Sequence, residues 1–320
     1  MANQFKNRCF GAVIIKSVNS NWNADFTHSP RTLPDGTVYA TDKALKYAIR
    51  NYIKKNYTDE KVFFFKKMKE DIKPVTLDEN YVEMFGELKK PDKKSLIEDR
   101  KKVISNLLNC IDIRLFGATF ASKGYNFSLH GPLQINHAID KFGEFEIYSE
   151  QIMSPFRNSG KDDSDQSTLG NQTNLKEGHY VYHFSINPSN LYDFYALLDE
   201  SSAQLSDEDI DKLIEAMNSG VTILDSSRKI GSENEATIFV KLKADSKAVL
   251  PSFTDFIDIK KIEDTANRTI DLTALKEQLD AVEKEIESVY IYYNPLLTKL
   301  EGLPDNSGYN LFNIVNGKKL

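Results

Sequence analysis

The chain has 320 residues, of which 40% are apolar and 28% are charged, and this composition predicts a substantial buried core, either in one large domain or in one domain that carries insertions. Its apolar runs are too short to cross a membrane, and its amino-terminal residues lack the long apolar core of a secretory signal. Because its only cysteines are Cys9 and Cys110, we expect reduced thiols rather than a disulfide framework, which excludes a small secreted scaffold and indicates a cytoplasmic protein.

Charge is distributed unevenly along the chain, whose net charge is −6 at pH 7. Residues 1–110 contain 21 Lys and Arg against 14 Asp and Glu, whereas residues 201–320 contain 14 against 21. A basic amino-terminal third on an acidic body is compatible with a local phosphate-binding surface. An ordinary solvated surface gives the same distribution, so the charge pattern leaves both interpretations open.

The first third of the chain predicts a buried strand followed by a helix. Residues 9–18 form a short apolar run rich in β-branched side chains, which is typical of a buried strand. Thr41 fits a helix N-cap and Asp42 lies in the first turn, where the helix dipole favours an acid. Apolar residues then recur at helical spacing, so we expect a helix at residues 41–54.

This predicted helix carries positive charge on the side away from its apolar face. Lys43, Lys46, Arg50 and Lys54 recur at i, i+3, i+7 and i+11, which places four cations in one stripe. Such a stripe can neutralise successive phosphates of a nucleic acid without reading its bases. A solvated helix face has the same pattern, so the stripe alone does not decide between the two.

The next segments indicate an insertion, a second helix and a strand. Residues 55–93 are rich in lysine and lack a regular period, as an insertion would. Ser95 and Glu98 have the spacing of a capping box at the start of a helix predicted at residues 95–109. Residues 111–120, which include a glycine, then predict a strand.

Two further strands are predicted at residues 145–149 and 180–186. Residues 151–179, between them, show almost no apolar periodicity. A structureless segment of that length inside a compact domain is usually functional or disordered. We therefore expect a long polar loop here.

The last third predicts helices and strands in alternation. The helices are expected at residues 207–218, with Ser206 as N-cap, and at residues 271–287. The strands are expected near residues 236–243 and 288–293. Widely spaced strands with helices between them predict an α+β fold, with an antiparallel or mixed sheet and helices on one side.

The sequence contains no familiar catalytic or metal-binding motif. His179 and His183 share a face of a predicted strand, but no third ligand follows at a suitable spacing, so a structural role is favoured over a metal site. The remaining histidines are His28, His130 and His137. The acids of the polar loop (Asp162, Asp163 and Asp165) are better explained as solvated side chains than as ligands of a divalent ion. We expect no active site, no metal and no cofactor.

Five short segments, taken in order, carry a resemblance to a known family. They are residues 37–50 (TVYATDKALKYAIR), 112–120 (DIRLFGATF), 128–134 (SLHGPLQ), 168–170 (TLG) and 178–187 (GHYVYHFSIN). Their order and spacing resemble the backbone subunit of type I CRISPR Cascade complexes, the Cas-seven family. The similarity is greatest to its Csh and Csd branches and indicates subtype I-B.

This resemblance implies a fold and a set of partners. The fold would be a single domain with an RRM-like (ferredoxin-like) palm built on an antiparallel sheet, a helical finger insertion at residues 55–110, a protruding thumb hairpin at residues 147–177, and a carboxy-terminal helix and strand at residues 265–320. Several copies would polymerise as a helical filament along one guide RNA (crRNA), beside other Cascade subunits, and present the RNA to target DNA. Members of the family are not themselves nucleases.

The resemblance also implies which cations contact RNA. Lys43, Lys46 and Arg50 correspond to the basic helix of the family and would contact phosphates. Arg228 and Lys229 fall where the family often has a basic Ser-Arg element. This agrees with the residues themselves, because two serine hydroxyls beside two cations are suited to a phosphate contact.

The thumb of the family would contribute side chains that pack at or between displaced nucleotides. In this chain they are Met153, Phe156, Arg157, Thr168 and Leu169. Stacking of this kind tolerates any base, which suits a subunit that accepts any guide sequence.

The chain departs from the family at two places close to the expected RNA contacts. Many relatives have Asn-x-Asn-Gly-Asp-Pro in the amino-terminal loop, where residues 21–26 of this chain are Asn-Trp-Asn-Ala-Asp-Phe. Relatives also often carry a Lys-Arg pair where this chain has Lys46 and Tyr47. Two other functions stay open at this point: an RRM-like endoribonuclease that processes CRISPR precursor RNA with His28 as general acid or base, and a protein-interaction scaffold without nucleic acid.

Overall fold

The computed structural model describes residues 3–91, 95–157, 166–199, 202–262, 265, 267–303 and 308–320, with the backbone alone at residues 155–157 and 166–169. Within these ranges the helices are α1 (Asp42–Asn56), α2 (Leu77–Phe85), α3 (Leu96–Leu108), α4 (Ile111–Phe116), α5 (Tyr192–Tyr195), α6 (Asp207–Ser219) and α7 (Thr273–Asp280). The strands are β1 (Cys9–Ser20), β2 (Tyr39–Ala40), β3 (Gly117–Ser122), β4 (Tyr125–His130), β5 (Leu133–Ile135), β6 (Ala138–Asp140), β7 (Ile147–Arg157), β8 (Gln166–Ile186), β9 (Ser232–Leu242), β10 (Asp258–Lys261), β11 (Arg268–Asp271), β12 (Ile286–Tyr293), β13 (Thr298–Glu301) and β14 (Asn310–Asn313). Within the same ranges, no helix combines the length and the apolar character needed to cross a membrane.

A nine-stranded sheet organises the fold around β1. Its order is β14-β12-β9-β1-β8-β6-β2, and β5 and β7 also pair with β8. β1 pairs antiparallel with β8 on one side and with β9 on the other. Residues 12–15 of β1 are completely buried, since elements cover both faces of the sheet, and a strand covered on both faces is continuously apolar. The predicted first strand is confirmed.

Different elements bury the two faces of this sheet. α1 and α6 lie on one face, in a core that includes Trp22, Leu45 and Phe239. α7 and a three-stranded sheet of order β10-β11-β13 cover the other face, where Ile14 and Leu275 are buried. The fold is therefore a mixture of α and β elements with a large sheet, and the expectation of helices on one side only is wrong.

Residues 111–116 form the helix α4, not the strand that the sequence predicts. All six residues are buried, including the charged Asp112 and Arg114. Asp112 accepts hydrogen bonds from two successive backbone amides of the lysine-rich segment, at 2.8 and 3.0 Å. Arg114 donates to both carboxylate oxygens of Asp209 at 2.9 and 2.7 Å. These distant partners stabilise the charged side chains of a buried helix. The local sequence pattern of residues 111–116 does not reveal them, so it could not predict the helix.

The lysine-rich segment has a core of its own. α2 and α3 enclose Tyr81 and Leu107, together with Phe120 and Tyr125 from the β3–β4 hairpin. At the start of α3, Ser95 donates to the Asp99 carboxylate (2.7 Å) and does not cap the helix. The predicted capping box is therefore wrong at Ser95, whereas Ser206 caps α6 as predicted.

Residues 151–179, which lack periodicity, belong mostly to strands β7 and β8. The two strands pair antiparallel from Ile147 and Leu175 to Arg157 and Gln166. β1 ends its pairing with β8 at Leu175, so the β7–β8 hairpin continues for about 30 Å beyond β1 at the usual rise per residue. The buried side chains of this ribbon beyond Leu175 include the polar Ser154, Thr173 and Asn174, so its buried positions do not show up as an apolar alternation. The predicted loop is wrong, and its Asp162, Asp163 and Asp165 lie outside the described residues.

The last predicted helix is shorter than its pattern suggests. Leu272, Leu275 and Leu279 are buried as expected, but α7 ends at Asp280. The chain then joins β12 from Ile286, because pairing with β9 outweighs the helical spacing of the apolar residues there. The predicted strands near residues 236–243 and 288–293 are confirmed.

A buried charge cluster connects the small sheet to the large one. His179 of β8 lies 2.5 Å from Glu235 and 3.1 Å from Glu177. Arg268 of β11 donates to both oxygens of Glu177, each at 2.7 Å. Although burial opposes the charge of the imidazolium, the two carboxylates raise the pKa of His179 to about 9. His179 is thus structural, as expected, and is protonated at neutral pH.

Replacing His179 by Gln should destabilise the fold. The change removes the positive charge between two buried carboxylates, which typically costs about 3–5 kcal/mol, and urea unfolding at pH 6.5 measures it. His130→Ala, at an exposed histidine of β4, should stay within about 0.5 kcal/mol of the unchanged protein.

The difference in free energy of unfolding between the unchanged protein and His179→Gln should depend on pH. A histidine titrates near pH 6.5 in the unfolded chain and near 9 in the folded one. Its contribution is therefore complete below pH 6.5 and disappears as the pH rises through 9. The stability difference between the unchanged protein and His179→Gln should shrink over that range, and a constant difference would refute the assignment of the charge to His179.

Candidate nucleic-acid interface

Four segments meet at the end of the sheet where β1 ends. They are residues 19–31 (the Asn21 loop), the start of α1, the base of the β7–β8 hairpin, and residues 225–231 (the Arg228 turn). The Asn21 amide N–H donates to the carbonyl of Arg228 (2.9 Å), and the Val18 N–H donates to the carbonyl of Gly231 (2.8 Å). Gly231 has a φ of 94°, and a Cβ there would lie 2.4 Å from the Val18 oxygen. Only glycine lets the Arg228 turn approach β1 so closely.

Two asparagine side chains fasten the Asn21 loop to its neighbours. The Asn21 amide group donates to the carbonyl of His28 (3.1 Å) within the loop and to the carbonyl of Thr173 (3.2 Å) in β8. The Asn23 side-chain oxygen accepts from the backbone N–H and the hydroxyl of Thr41, at 2.8 and 2.9 Å. The loop therefore sets the position of the hairpin base relative to the first turn of α1.

Trp22, between these two asparagines, anchors the loop in the core. Its indole N–H donates to the Tyr182 hydroxyl (2.8 Å), which in turn donates to the carbonyl of Thr41 (3.2 Å). The Lys229 ammonium lies 4.8 Å from the centre of the Trp22 ring and donates to the Trp22 carbonyl. Burial lowers the pKa of Lys229 to about 8.

Positive charge accumulates beside the Asn21 loop without neutralising partners. Within the described part of the chain, none of Arg31, Arg228 and Lys229 forms an ion pair with a carboxylate. Arg228 donates to the carbonyl of His28 (3.3 Å), and the Nε of Arg31 is buried with no hydrogen-bond acceptor. The nearby Asp25 accepts from Thr27, which lowers the pKa of its carboxyl, and Arg31 adds to this effect at a distance. An oxyanion would complete this cluster.

Arg31 is a candidate that the sequence does not reveal. Its neighbours in sequence are ordinary turn residues. It reaches the cluster because its N–H donates to the carbonyl of Asn23 (3.3 Å) and its carbonyl accepts from Tyr39 (2.9 Å). This folding of the loop on itself has no local signature.

The structure divides the predicted cationic stripe of α1. The Lys43 side chain is 82% exposed, although its ammonium lies 3.6 Å from Asp42. Lys54 is exposed too, with its ammonium 4.4 Å from the centre of the Phe65 ring. In contrast, Lys46 and Arg50 are each only 16% exposed and lie 3.0 Å from Asp42 and Asp112, respectively. The prediction of one open stripe is therefore wrong at Lys46 and Arg50.

The predicted thumb residues lie in the β7–β8 hairpin. Met153 is exposed in β7 and pairs in register with Thr168 of β8. Phe156 and Arg157 belong to β7, and Leu169 belongs to β8, but the side chains of Phe156, Arg157, Thr168 and Leu169 lie outside the described residues. The roles assigned to these five residues stay predictions.

Titratable groups elsewhere give no sign of a reaction centre. His28 is exposed, with φ 69°, and its carbonyl rather than its ring makes the contacts in the loop. His183 accepts from the Phe253 N–H (3.2 Å) beside the core. In the ranges that the structure describes, no group of three His, Cys, Asp or Glu side chains could hold a metal ion. Cys9 and Cys110 are buried free thiols.

The chain is similar to known proteins in both sequence and structure. A family model described as "CRISPR-associated protein Cas7" matches residues 7–277. A solved chain described as "CRISPR RNA-guided surveillance complex, pre-nicking" has a TM-score of 0.56 and 10% identity, with 96% of each chain covered. Another, described as "CRISPR RNA-guided surveillance complex", has a TM-score of 0.48 and 12% identity over 90% of this chain and 94% of that chain. No curated protein matches the sequence.

These matches agree with the five segments that carried the resemblance. The likeness to the first solved chain extends over nearly the full length and shows a shared fold. The family model covers β1, β8 and β9 of the central sheet, the Asn21 loop, the hairpin and the Arg228 turn, and reaches into α7, whereas β12 and β14 of the sheet lie beyond it. Because that match spans most of the sequence, the chain belongs to the CRISPR-associated protein Cas7 family.

Proposed function

We propose that the chain is the non-catalytic guide-RNA (crRNA) binding backbone subunit of a type I CRISPR–Cas surveillance complex, of subtype I-B. Several copies polymerise along one crRNA as a helical filament in the cytoplasm. Together with other Cascade subunits they present the RNA to target DNA in antiviral defence. The family membership supports this proposal, as does the name of the solved complex whose chain shares the fold.

The observation that carries the proposal is the cluster of unpaired cations beside the Asn21 loop. Arg31, Arg228 and Lys229 come together without a carboxylate partner among the described residues. Guanidinium and ammonium groups bind phosphate oxygens, and phosphate contacts hold a nucleic acid without reading its sequence. A subunit that accepts any guide needs contacts of this kind.

The strand order supports an RRM-like palm for this subunit. Along the chain, β1, α1, β6, β8, α6 and β9 follow the pattern βαββαβ. In the sheet these strands lie in the order β9-β1-β8-β6, and neighbouring strands among them are antiparallel. α1 and α6 pack on the same face. In this interpretation residues 55–110, which include the lysine-rich segment, are the finger, and the β7–β8 hairpin is the thumb.

Removing both cations of the Arg228 turn, Arg228 and Lys229, should weaken the binding of RNA of every sequence. We expect Arg228→Ala with Lys229→Ala to lower the affinity for single-stranded RNA and to reduce the slope of log K against log salt by about 1.4, because two phosphate contacts are lost. Fluorescence anisotropy with guides of unrelated sequence, over a series of salt concentrations, measures both quantities.

The matched control removes the same charge at the other end of the sheet. Lys243→Ala with Lys247→Ala changes two exposed lysines that follow β9, and the salt slope should stay unchanged. Arg228→Ala alone avoids any loss of the Lys229 packing on Trp22. Equal slopes for both double variants would reject the Arg228 turn as a phosphate site. Cleavage of labelled precursor RNA that disappears in His28→Ala would reject the non-catalytic role.

Lys43 and Arg50 have the same predicted role in the sequence, but their alanine variants should have different effects on stability. Lys43→Ala removes an exposed charge and should leave the free energy of unfolding within about 0.5 kcal/mol, while RNA affinity falls. Arg50→Ala removes a charged hydrogen-bond donor from the buried Asp112 and should cost about 1.5–3 kcal/mol of stability. Urea unfolding and RNA titration of both variants test this division, and equal stabilities would contradict it.

RNA binding should weaken as the pH rises through the pKa of Lys229. A bound phosphate favours the protonated amine, whereas the free protein loses that proton near pH 8. One pH unit above the pKa, only about a tenth of the free protein carries a protonated Lys229. If the complex requires the protonated amine, the affinity for RNA is lower there by up to about tenfold. We expect the affinity to fall between pH 7 and 9 in the unchanged protein and in Arg228→Ala, and to stay level in Lys229→Arg. A decline of the same size in Lys229→Arg would show that another group titrates.

A further inference from the structure

Phe26 is displayed to solvent by the Asn21 loop. Its side chain is 97% exposed, the largest exposed fraction among the large apolar residues of the described chain. Its neighbours in the loop are polar, since Asp25, Thr27, His28 and Ser29 surround it in sequence. A single aromatic ring on a polar rim differs from the contiguous apolar patch that a protein interface usually presents.

The loop that carries Phe26 is held in one shape. One Asp25 carboxylate oxygen accepts from the Thr27 N–H (2.8 Å), the Thr27 hydroxyl (2.8 Å) and the Ser29 N–H (3.0 Å). The Asp25 N–H also donates to the Ser29 carbonyl (2.8 Å), which closes the turn around Phe26. The ring is therefore presented in advance, and a ligand would not have to order the backbone.

The unpaired cations lie on the same loop or touch it. Arg31 closes the loop, Arg228 donates to the carbonyl two residues after Phe26, and Lys229 donates to the carbonyl of Trp22. A partner for this surface must offer both anionic oxygens and a flat apolar face. A nucleotide has both, with the phosphate a short distance from the base.

We propose that Phe26 stacks on one base of the RNA strand whose phosphates bind at Arg31, Arg228 and Lys229. This inference rests on the proposed RNA-binding function and adds to it a base contact outside the β7–β8 hairpin. Stacking on a phenyl ring accepts every base, because every base has a π face. The contact therefore strengthens binding and preserves indifference to guide sequence.

The test uses the full chain and the shortest oligouridylate that binds one copy. Phe26→Ala should weaken binding by roughly 5- to 150-fold, the range for loss of one base–aromatic stack, and should leave the salt slope unchanged because no charge is removed. Phe26→Trp should retain binding, and RNA should quench the fluorescence of the introduced indole. Val249→Ala, an exposed apolar residue beyond the opposite end of β9, should bind as the unchanged protein does.

An abasic version of the oligonucleotide identifies the contact as stacking. It keeps the phosphates and removes the bases, so the unchanged protein and Phe26→Ala should bind it equally. A persistent difference on abasic RNA would overturn the proposal, as would normal binding of Phe26→Ala to the short RNA. A defect seen only on long RNA that holds several copies would overturn it too, and would assign Phe26 to a contact between copies. Loss of binding in the Arg228 and Lys229 double variant, with Phe26→Ala unaffected, would reject the stack and leave the proposed function intact.

Discussion

The hydrogen bonds of Asn21 and Asn23 are the constraint on which the candidate interface depends. The Asn21 amide donates to a carbonyl of β8, and the Asn23 amide oxygen accepts from Thr41, which immediately precedes α1. The loop therefore has fixed neighbours on two sides. Trp22 adds the third attachment through Tyr182 in the core. Loops usually lose order because their backbone groups bind only water. Here the side chains replace water at each of these points, and the cations beside the loop keep their places.

The interface and the stable core use charge in opposite ways. In the core, His179, Arg114 and Arg50 each face a carboxylate, because an unpaired charge in a medium of low polarity is costly. Beside the Asn21 loop, Arg31 and Lys229 are partly buried and have no such partner in the described chain. The lowered pKa of Lys229 reports the same imbalance. Beside the Asn21 loop, an external anion can supply the missing negative charge.

The sequence was sufficient where structure depends on near neighbours. β1, α1 and α6 follow from an apolar run, a helical period and an N-cap serine, all of which are local. Thr41 occupies the N-cap position of α1 as predicted, but its hydroxyl donates to Asn23 and makes no capping hydrogen bond to the helix. α4 escaped prediction because Asp112 and Arg114 become acceptable inside a helix only through partners far away in the chain. The Lys46 partner, Asp42, is an i,i+4 neighbour that the sequence contains, whereas the Arg50 partner, Asp112, is brought near only by the tertiary fold. Arg31 and the exposed ring of Phe26 depend on how the Asn21 loop closes, which no periodic pattern encodes.

The length of β8 has a mechanical consequence. A single strand of 21 residues forms both the ladder with β1 and one arm of the β7–β8 hairpin. The β7–β8 ladder runs in regular register from Leu175, where the β1 ladder ends, to Gly170, so the base of the arm is a direct continuation of the sheet. A force on the arm would therefore be transmitted through β8 into the centre of the domain. In the filament that we propose, this continuity would hold the base of the arm at the same angle to the body in every copy.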